Sequence, residues 1–182
     1  MITAQSVEKW QWQKFAVGKK TGNETALMVG MAEVIKVDSI TYRMYYGAAL
    51  PNMQTAIKYA ESSDGLNWIV KGTVLQGAID TADREHLISG PSVVKLPNGQ
   101  YRMYYQSSEQ PPVGQPPKFH VRSAISNDGI NFTKEGIRID IQPYDPSSPL
   151  RLAGHGTYFI AANGTYVGIF SGEFTGDPPG PS

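Results

Sequence analysis

Apolar and polar residues alternate along this chain with a period of two, in short stretches that Gly, Pro and Asn interrupt. Residues 27–37 and 87–96 form long, largely apolar stretches, which predicts strands buried on both faces. Residues 42–48 and 101–107 alternate aromatic and polar side chains, as expected of a strand packed within a sheet. No long window has the apolar spacing of a helix, so the pattern predicts an all-β chain.

The strand pattern repeats. VIKVDSITYRMYYGA (34–48) returns as VVKLPNGQYRMYYQS (93–107) at an offset of 59, and IKYAESSDGLNW (57–68) returns as VRSAISNDGINF (121–132) at an offset of 64. A third copy of the first segment is YFIAANGTYVGIFSG, in which Tyr166 lies 65 residues beyond Tyr101. More faintly, residues 4–12 match residues 60–68 at an offset of 56. Repeats of this length are typical of arrays of one supersecondary unit.

Each full repeat predicts four antiparallel strands in about 60 residues, which is typical of a β-propeller blade. We therefore predict a single β-propeller-like domain over residues 1–182, with a half blade at 1–17, whole blades at 27–80 and 86–142, and a half blade at 151–172. About three blades per chain is fewer than the roughly 4 to 8 of a closed ring. Because open sheet edges invite pairing, we expect oligomerisation: the terminal half-blades of two chains would complete each other in a six-bladed homodimer.

Composition narrows the classes of function. Sixteen Lys and Arg balance sixteen Asp and Glu, which argues against nucleic acid or anionic membranes as partners. The chain has no cysteine, which excludes disulfides, thiolate zinc sites and Cys nucleophiles. No apolar run approaches the roughly 20 residues of a membrane span, and no signal-peptide core is visible, so we expect a soluble protein, cytoplasmic or of unknown compartment.

Blades that read apolar strand, turn, YRMYY, strand and S-x-D-G-x-x-W resemble the five-bladed β-propeller glycosidase superfamily. That superfamily includes arabinanases, β-xylosidases, invertase-like and levansucrase-like enzymes and mannoside phosphorylases. The resemblance rests on residues 42–46, 62–68, 91–94, 101–105 and 126–132. Asp and Gly are adjacent in S-x-D-G, whereas one residue separates them in sialidase Asp-boxes. We expect these aspartates to form turns, because Asp before Gly bonds its own backbone there.

The resemblance implies a glycoside hydrolase-like protein that acts on or binds oligosaccharide. Glycoside hydrolysis needs two carboxyl groups, and the family commonly places one as the Asp of an Asp-Pro-Ser-Val-like start of a blade's first strand. Met31, Gly90 and His155 occupy that position in the three copies. The usual catalytic Asp is therefore missing from this chain.

The remaining candidates lie near those positions. Glu33 is two residues from the missing Asp, and by strand alternation it should point to the same side as Met31. If hydrolysis occurs, we expect Glu33 and Glu85 to be the catalytic pair. The residues expected to bind substrate hydroxyls are Arg84, His86, Arg151 and His155. The three histidines lack metal-ligand spacing and no nucleotide-binding motif occurs, so we predict neither metal nor cofactor.

Two other interpretations stay open at this stage. The chain could be a non-catalytic module of the same scaffold that binds carbohydrate or a protein partner, which the missing Asp favours. It could also be an incomplete fragment of a larger glycosidase, with the catalytic blades elsewhere. The sequence gives no preference for a particular sugar or linkage.

Overall fold

The computed structural model describes residues 23–78, 85–109, 119–140 and 150–174, and all regular structure in these ranges is β-strand. The strands are β1 (Met28–Lys36), β2 (Tyr42–Ala49), β3 (Thr55–Ser62), β4 (Ile69–Gln76), β5 (Glu85–Lys95), β6 (Tyr101–Glu109), β7 (Phe119–Ser126), β8 (Thr133–Asp140), β9 (Leu150–Ile160) and β10 (Tyr166–Phe174). The predicted first half blade lies outside the described residues. In the part of the chain that is described, no helix is long and apolar enough to cross a membrane.

The strands form three antiparallel sheets in chain order. Strands β1 to β4 make blade 1, β5 to β8 make blade 2, and β9 and β10 make a two-stranded sheet, here called half-blade 3. β5 contacts β1, β2 and β3 of blade 1, and β9 contacts β5, β6 and β7 of blade 2. Successive sheets thus pack face to face with β1, β5 and β9 as inner strands. This confirms the predicted all-β class and its four-stranded propeller-type blades.

The two long apolar strands differ in burial. β5 lies between blade 1 and half-blade 3, and its Ile88 and Val93 are buried, as predicted. β1 was expected to be buried on both faces, and this is wrong: Met28 is 69% exposed and Val34 48%. Only one face of β1 has a described blade to pack against, so the same apolar pattern produces different burial.

Tyrosines of the two YRMYY strands form much of the core. Tyr45, Tyr46 and Tyr105 are almost completely buried, and Tyr45 and Tyr105 share one cluster with Ile57 and Met103 between the blades. A buried aromatic side chain removes about 150–250 Å² from water, so these rings account for much of the stability of the packed sheets. Their packing leaves these three rings no exposed face on which a sugar could stack.

Asp64 and Asp128 organise equivalent turns. In each turn the carboxylate accepts hydrogen bonds from the backbone two and three residues ahead, as at Leu66 (2.8 Å) and Asn67 (2.7 Å) in blade 1. Hydrogen bonds from the Asn67 and Leu66 backbone and from side chains hold the pKa of Asp64 well below its ordinary value. Asp128 has the same arrangement and the same direction of pKa shift. Both aspartates therefore stabilise their turns by accepting hydrogen bonds from the turn backbone.

Each inner strand contains a β-bulge. The register shifts between Gly30 and Glu33 in β1 and between Ser89 and Ser92 in β5, and a similar shift occurs in β9. Met31 in the first bulge has a φ of 52°, a left-handed conformation that L-residues rarely adopt. The bulge interrupts the two-residue alternation, so the expected alignment of Glu33 with Met31 on one side is not maintained.

Candidate functional site

The bulges of the inner strands define the mouth, the region around Met31, Gly90 and His155 where the missing Asp was expected. Gly90, with a φ of 57°, lies directly under the imidazole of His155: a Cβ on Gly90 would stand 2.6 Å from Nδ1. Glycine is required there both by the backbone conformation and by the close ring. Met31 is 52% exposed and His155 is also exposed. The mouth therefore offers a thioether and an imidazole to solvent.

A groove of about 210 Å³ runs beside the mouth between blade 1 and β5. Its lining is mostly apolar and includes no carboxylate; the residues are Met28, Val29, Gly30, Met31, Gly47, Ala48, Ala49, Thr55, Ile88 and Ser89. Thr55 supplies a hydroxyl, but its oxygen already accepts a hydrogen bond from the Ile88 N–H at 2.7 Å. The groove could take a small apolar face, but it has no acid or base for catalysis.

Glu33 connects the three inner strands. Its carboxylate accepts hydrogen bonds from the Val93 N–H at 2.5 Å and from the Ser92 hydroxyl at 3.2 Å, both in β5. The Ser92 oxygen in turn accepts from the Tyr158 N–H in β9 at 3.0 Å. Burial raises the pKa of Glu33 above its ordinary value despite these two donors. The carboxylate thus joins blade 1 to blade 2, with half-blade 3 attached through Ser92.

Glu85 is only 1% exposed and is surrounded by donors. Oε1 accepts from the Tyr105 hydroxyl at 2.7 Å and lies 3.7 Å from Nε of Arg122. Lys134 donates to Oε2 and also reaches the Gln76 carbonyl at the end of β4. Glu85 therefore fastens the start of β5 to β6, β7 and β8, which satisfies a carboxylate whose burial without partners would be costly.

Blade 1 contains the same arrangement. Glu24 precedes β1 and accepts from the Tyr46 hydroxyl (2.5 Å), Lys58 Nζ (2.5 Å) and the Ala26 N–H (2.7 Å). Burial acts to raise the pKa of Glu24, but the hydrogen bonds from Lys58, Tyr46 and Ala26 outweigh it and the pKa lies below its ordinary value. We call each set of carboxylate, tyrosine and cation a blade triad.

Two members of each triad follow the sequence repeat, a signal that the prediction of catalytic residues missed. The offset of 59 relates Tyr46 to Tyr105, and the offset of 64 relates Lys58 to Arg122. At the offset of 65, Phe170 takes the tyrosine position in half-blade 3, where no phenol is available. The tyrosine and the cation therefore recur at the repeat offsets, whereas Glu24 and Glu85 lie 61 residues apart, at neither offset, so the repeat alone does not pair the two carboxylates.

The structure does not bring Glu33 and Glu85 together. Glu33 contacts Val93, and eight steps of β5 separate Val93 from Glu85, about 25 Å at the rise of an extended strand. Paired glycosidase carboxyl groups lie about 5 to 10 Å apart. Hydrolysis by this pair stays a prediction, and the fold offers it no close geometry within the chain.

Of the four predicted binding residues, the structure describes the side chains of two, His86 and His155. His155 is exposed at the mouth, whereas His86 is half-buried beside Glu85 at the start of β5. Arg84 lies outside the described residues; Arg151 is in β9, with its side chain also outside them. In the ranges the structure describes, no three His, Asp or Glu side chains are grouped as a metal site would require.

Comparison with known proteins places the fold. No family model matches the chain, and no curated protein does. Zg3597, a family 117 glycoside hydrolase from Zobellia galactanivorans, superposes with a TM-score of 0.61 at 15% identity, covering 78% of this chain and 49% of its own. A solved structure described simply as a glycoside hydrolase gives 0.62 at 13% identity, with coverages of 82% and 50%.

The family 93 α-L-arabinofuranosidase of Fusarium graminearum, solved with arabinobiose, superposes with a TM-score of 0.53 at 22% identity, covering 78% of this chain and 39% of its own. At these identities the likeness concerns the fold, which is that of the glycoside hydrolase propellers. The chain spans half or less of the length of these three solved structures.

Proposed function

We propose that this chain is a glycosidase-type propeller module that binds carbohydrate at its mouth without cleaving it. One observation carries the proposal: both candidate carboxylates are engaged inside the scaffold. Glu33 accepts from the β5 backbone and Ser92, and Glu85 accepts from Tyr105 and Lys134. General acid–base work needs a carboxyl group within hydrogen-bond reach of the substrate, and neither group is free to provide it.

The carbohydrate half of the proposal is supported by the solved propellers of the same fold, of which one holds arabinobiose. The sugar itself is to be identified by direct binding measurements. His155 is the central binding residue of the proposal, because its imidazole is exposed beside Gly90. His86, Arg84 and Arg151 are retained as further proposed ligands for hydroxyl groups.

The test is a glycan array that includes arabino-oligosaccharides, followed by calorimetry on any sugar bound. We expect His155→Ala to weaken binding by at least fivefold. The matched control is Ile40→Ala, which alters an exposed side chain in the β1–β2 turn and should leave affinity unchanged. Absence of any glycan binding by the parent chain would contradict the proposal, as would equal affinity in both variants.

Hydrolysis is the second candidate, favoured by the raised pKa of Glu33, since carboxyl groups with raised pKa serve as general acids in glycosidases. In this version Glu33 and Glu85 form the catalytic pair. Aryl-glycoside turnover by the parent chain that both Glu33→Gln and Glu85→Gln abolish, in folded variants, would support it. Lack of turnover by the parent would remove it.

We also propose that the chain self-associates through its terminal half-blades as a homodimer. The support is the two-stranded half-blade 3: in the described residues, no strand pairs with the outer edge of β10. An unpaired edge is a template for another strand. Sedimentation velocity should give twice the 19.9 kDa chain mass, and a monomer at micromolar concentration would contradict this.

A further inference from the structure

Blade 1 contacts the S-x-D-G turn of blade 2 through the side chains of Arg43 and Tyr45, which we call the socket. Nη1 of Arg43 donates to the Asp128 carbonyl at 3.0 Å, and the Tyr45 hydroxyl donates to the Gly129 carbonyl at 2.7 Å. The ring of Phe132 packs edge-on against Tyr45, with centroids 6.1 Å apart. A Cβ on Gly129 would stand 2.7 Å from Nη1 of Arg43, so the turn packs so closely against the socket that a Cβ does not fit at this position without a shift of the socket side chains.

Blade 2 carries the same socket without the turn. The offset of 59 places Arg102 and Tyr104 at the positions of Arg43 and Tyr45. Arg102 donates through Nε and Nη2 to Glu135, and the Tyr104 ring stacks on Tyr158, but among the described residues no backbone carbonyl accepts from Arg102 Nη1 or from the Tyr104 hydroxyl. Beside them lies a groove of about 250 Å³ between blade 2 and half-blade 3, lined in part by Tyr104, Arg138 and Tyr158. The hydroxyl of Tyr158 is buried with no described hydrogen-bond partner.

The N-terminal segment has the sequence that such a socket takes. Residues 4–12 match residues 60–68 at an offset of 56, which brings Ser6 onto Ser62 and Trp12 onto Trp68. Trp68 and Phe132 are equivalent at the offset of 64, so Trp12 corresponds to the aromatic residue that packs on Tyr45. The segment therefore matches the third and fourth strands of a blade, which are the strands that half-blade 3 lacks among the described residues.

Chain connectivity shows which copy of the segment fits. Blade 1 connects to blade 2 through residues 77–84, and a similarly small number of residues, 18–27, separates the segment from β1 in the sequence. Short connections join neighbouring blades, so the segment of a chain belongs beside its own blade 1. Half-blade 3 lies on the other side of blade 2, so residues 2–17 can pair with its outer edge only as part of a second chain.

We propose that residues 2–17 of a second copy of this chain add two strands to the outer edge of β10 and place their turn on Arg102 and Tyr104. The inference rests on the proposed self-association and names its contact surface. A two-fold axis makes the exchange reciprocal, since each chain offers one segment and one socket. In the same register as β2 and β3, where Arg43 faces Glu61, Val167 faces Gln5 of the other chain.

The absence of cysteine from the chain makes this register directly testable. Chains carrying Gln5→Cys and chains carrying Val167→Cys, each with a different affinity tag, are mixed, oxidised mildly and run on a non-reducing gel. Facing residues in adjacent strands have the Cα separation that a disulfide needs. We expect at least tenfold more mixed-tag dimer than from the control mixture of Gln5→Cys with Ile40→Cys, where Ile40 is exposed but lies in a turn of blade 1.

A second pair of variants tests the proposed contact of the N-terminal turn with Arg102 and Tyr104. Trp12→Ala should weaken the dimer at least tenfold by sedimentation, whereas Trp10→Ala, which corresponds to the exposed turn residue Leu66, should change it less than twofold. A wild-type monomer would overturn both this inference and the proposed self-association. A wild-type dimer that gives no excess of mixed-tag disulfide would overturn only the proposed interface and leave self-association standing.

Discussion

Blade 1 and blade 2 contain the same buried triad, but they surround its carboxylate differently. Glu24 is paired with one cation, Lys58, whereas Glu85 has Arg122 and also Lys134 from the outermost strand. The tyrosine and the cation recur at the repeat offsets, and each blade places a carboxylate against them, Glu24 before β1 and Glu85 at the start of β5. Glu85 is hydrogen-bonded within its blade as Glu24 is within blade 1, and a catalytic role for Glu85 stays a prediction.

The largest effect should come from removing the triad carboxylates. Glu85→Ala removes the carboxylate from the buried Arg122 and from Lys134, which loses its closest partner, so we expect a loss of about 3–5 kcal/mol in the free energy of unfolding. Glu24→Ala removes the carboxylate partner of Lys58 alone, so we expect a smaller loss in the free energy of unfolding, about 3 kcal/mol. Urea unfolding followed by circular dichroism measures both. A larger loss for Glu24 than for Glu85 would invert the comparison.

Removing one hydroxyl from each triad should cost less. Tyr105→Phe and Tyr46→Phe each delete a hydrogen bond to a buried carboxylate, worth about 2 kcal/mol. Tyr166→Phe is the matched control, because Tyr166 is half exposed at the start of β10 and should tolerate the change. Equal, near-zero losses at all three positions would mean that the triads do not stabilise the blades.

The bulges of β1 and β5 predict changes of opposite sign. Met31→Gly should raise the free energy of unfolding by up to about 1 kcal/mol, since glycine adopts the positive φ of 52° without strain. Gly90→Ala should destabilise the protein, because the new methyl group would meet the His155 ring at 2.6 Å in a conformation already unfavourable for alanine. Thermal unfolding of both variants beside wild type measures these changes. A shift of the two melting temperatures in the same direction would contradict the prediction.

Glu24 and Glu33 should give opposite pH dependences, the smallest effect considered. The pKa of Glu24 is lowered in the folded state, so its contribution to stability is present above its ordinary pKa and is lost as pH falls through the folded value. The pKa of Glu33 is raised, so its burial costs stability as pH rises from the ordinary value through the folded one.

Glu24→Gln should therefore be most destabilising near pH 7 and less so near pH 4. Glu33→Gln should be least destabilising, relative to wild type, near pH 7 and more so near pH 4. Unfolding by urea at about pH 4, 5, 6 and 7 in the two variants and wild type gives, for each substitution, the slope of its destabilisation against pH. Slopes of the same sign would contradict the environments assigned to these two carboxylates.

The blades could be predicted from the sequence because their signals are local. Asn98-Gly99 marks a turn by its positive φ, and Asp64-Gly65 marks another through hydrogen bonds within four residues. The triads depend instead on pairing between distant positions: Glu24 and Lys58 are 34 residues apart. Alternation alone cannot show which cation reaches a carboxylate, so the partners of Glu85 could not be predicted from the sequence.

The bulge in β1 shows a second limit. Strand alternation placed Glu33 with Met31, yet one extra residue in the register turned Glu33 onto Ser92 and Val93 of the next blade. A non-glycine residue with positive φ, such as Met31, leaves no mark in the sequence. The position of the mouth was therefore predictable, but the direction of its only nearby carboxylate among the described residues was not.

We propose that the chain binds sugar but does not cleave it, because its candidate carboxylates are hydrogen-bonded within the scaffold. The most direct measurement is mass spectrometry of the best-bound oligosaccharide after prolonged incubation with an equimolar amount of the chain. We predict that the sugar is recovered bound and at its original length. Recovery of shortened products, formed by wild type and not by folded Glu33→Gln, would contradict the account.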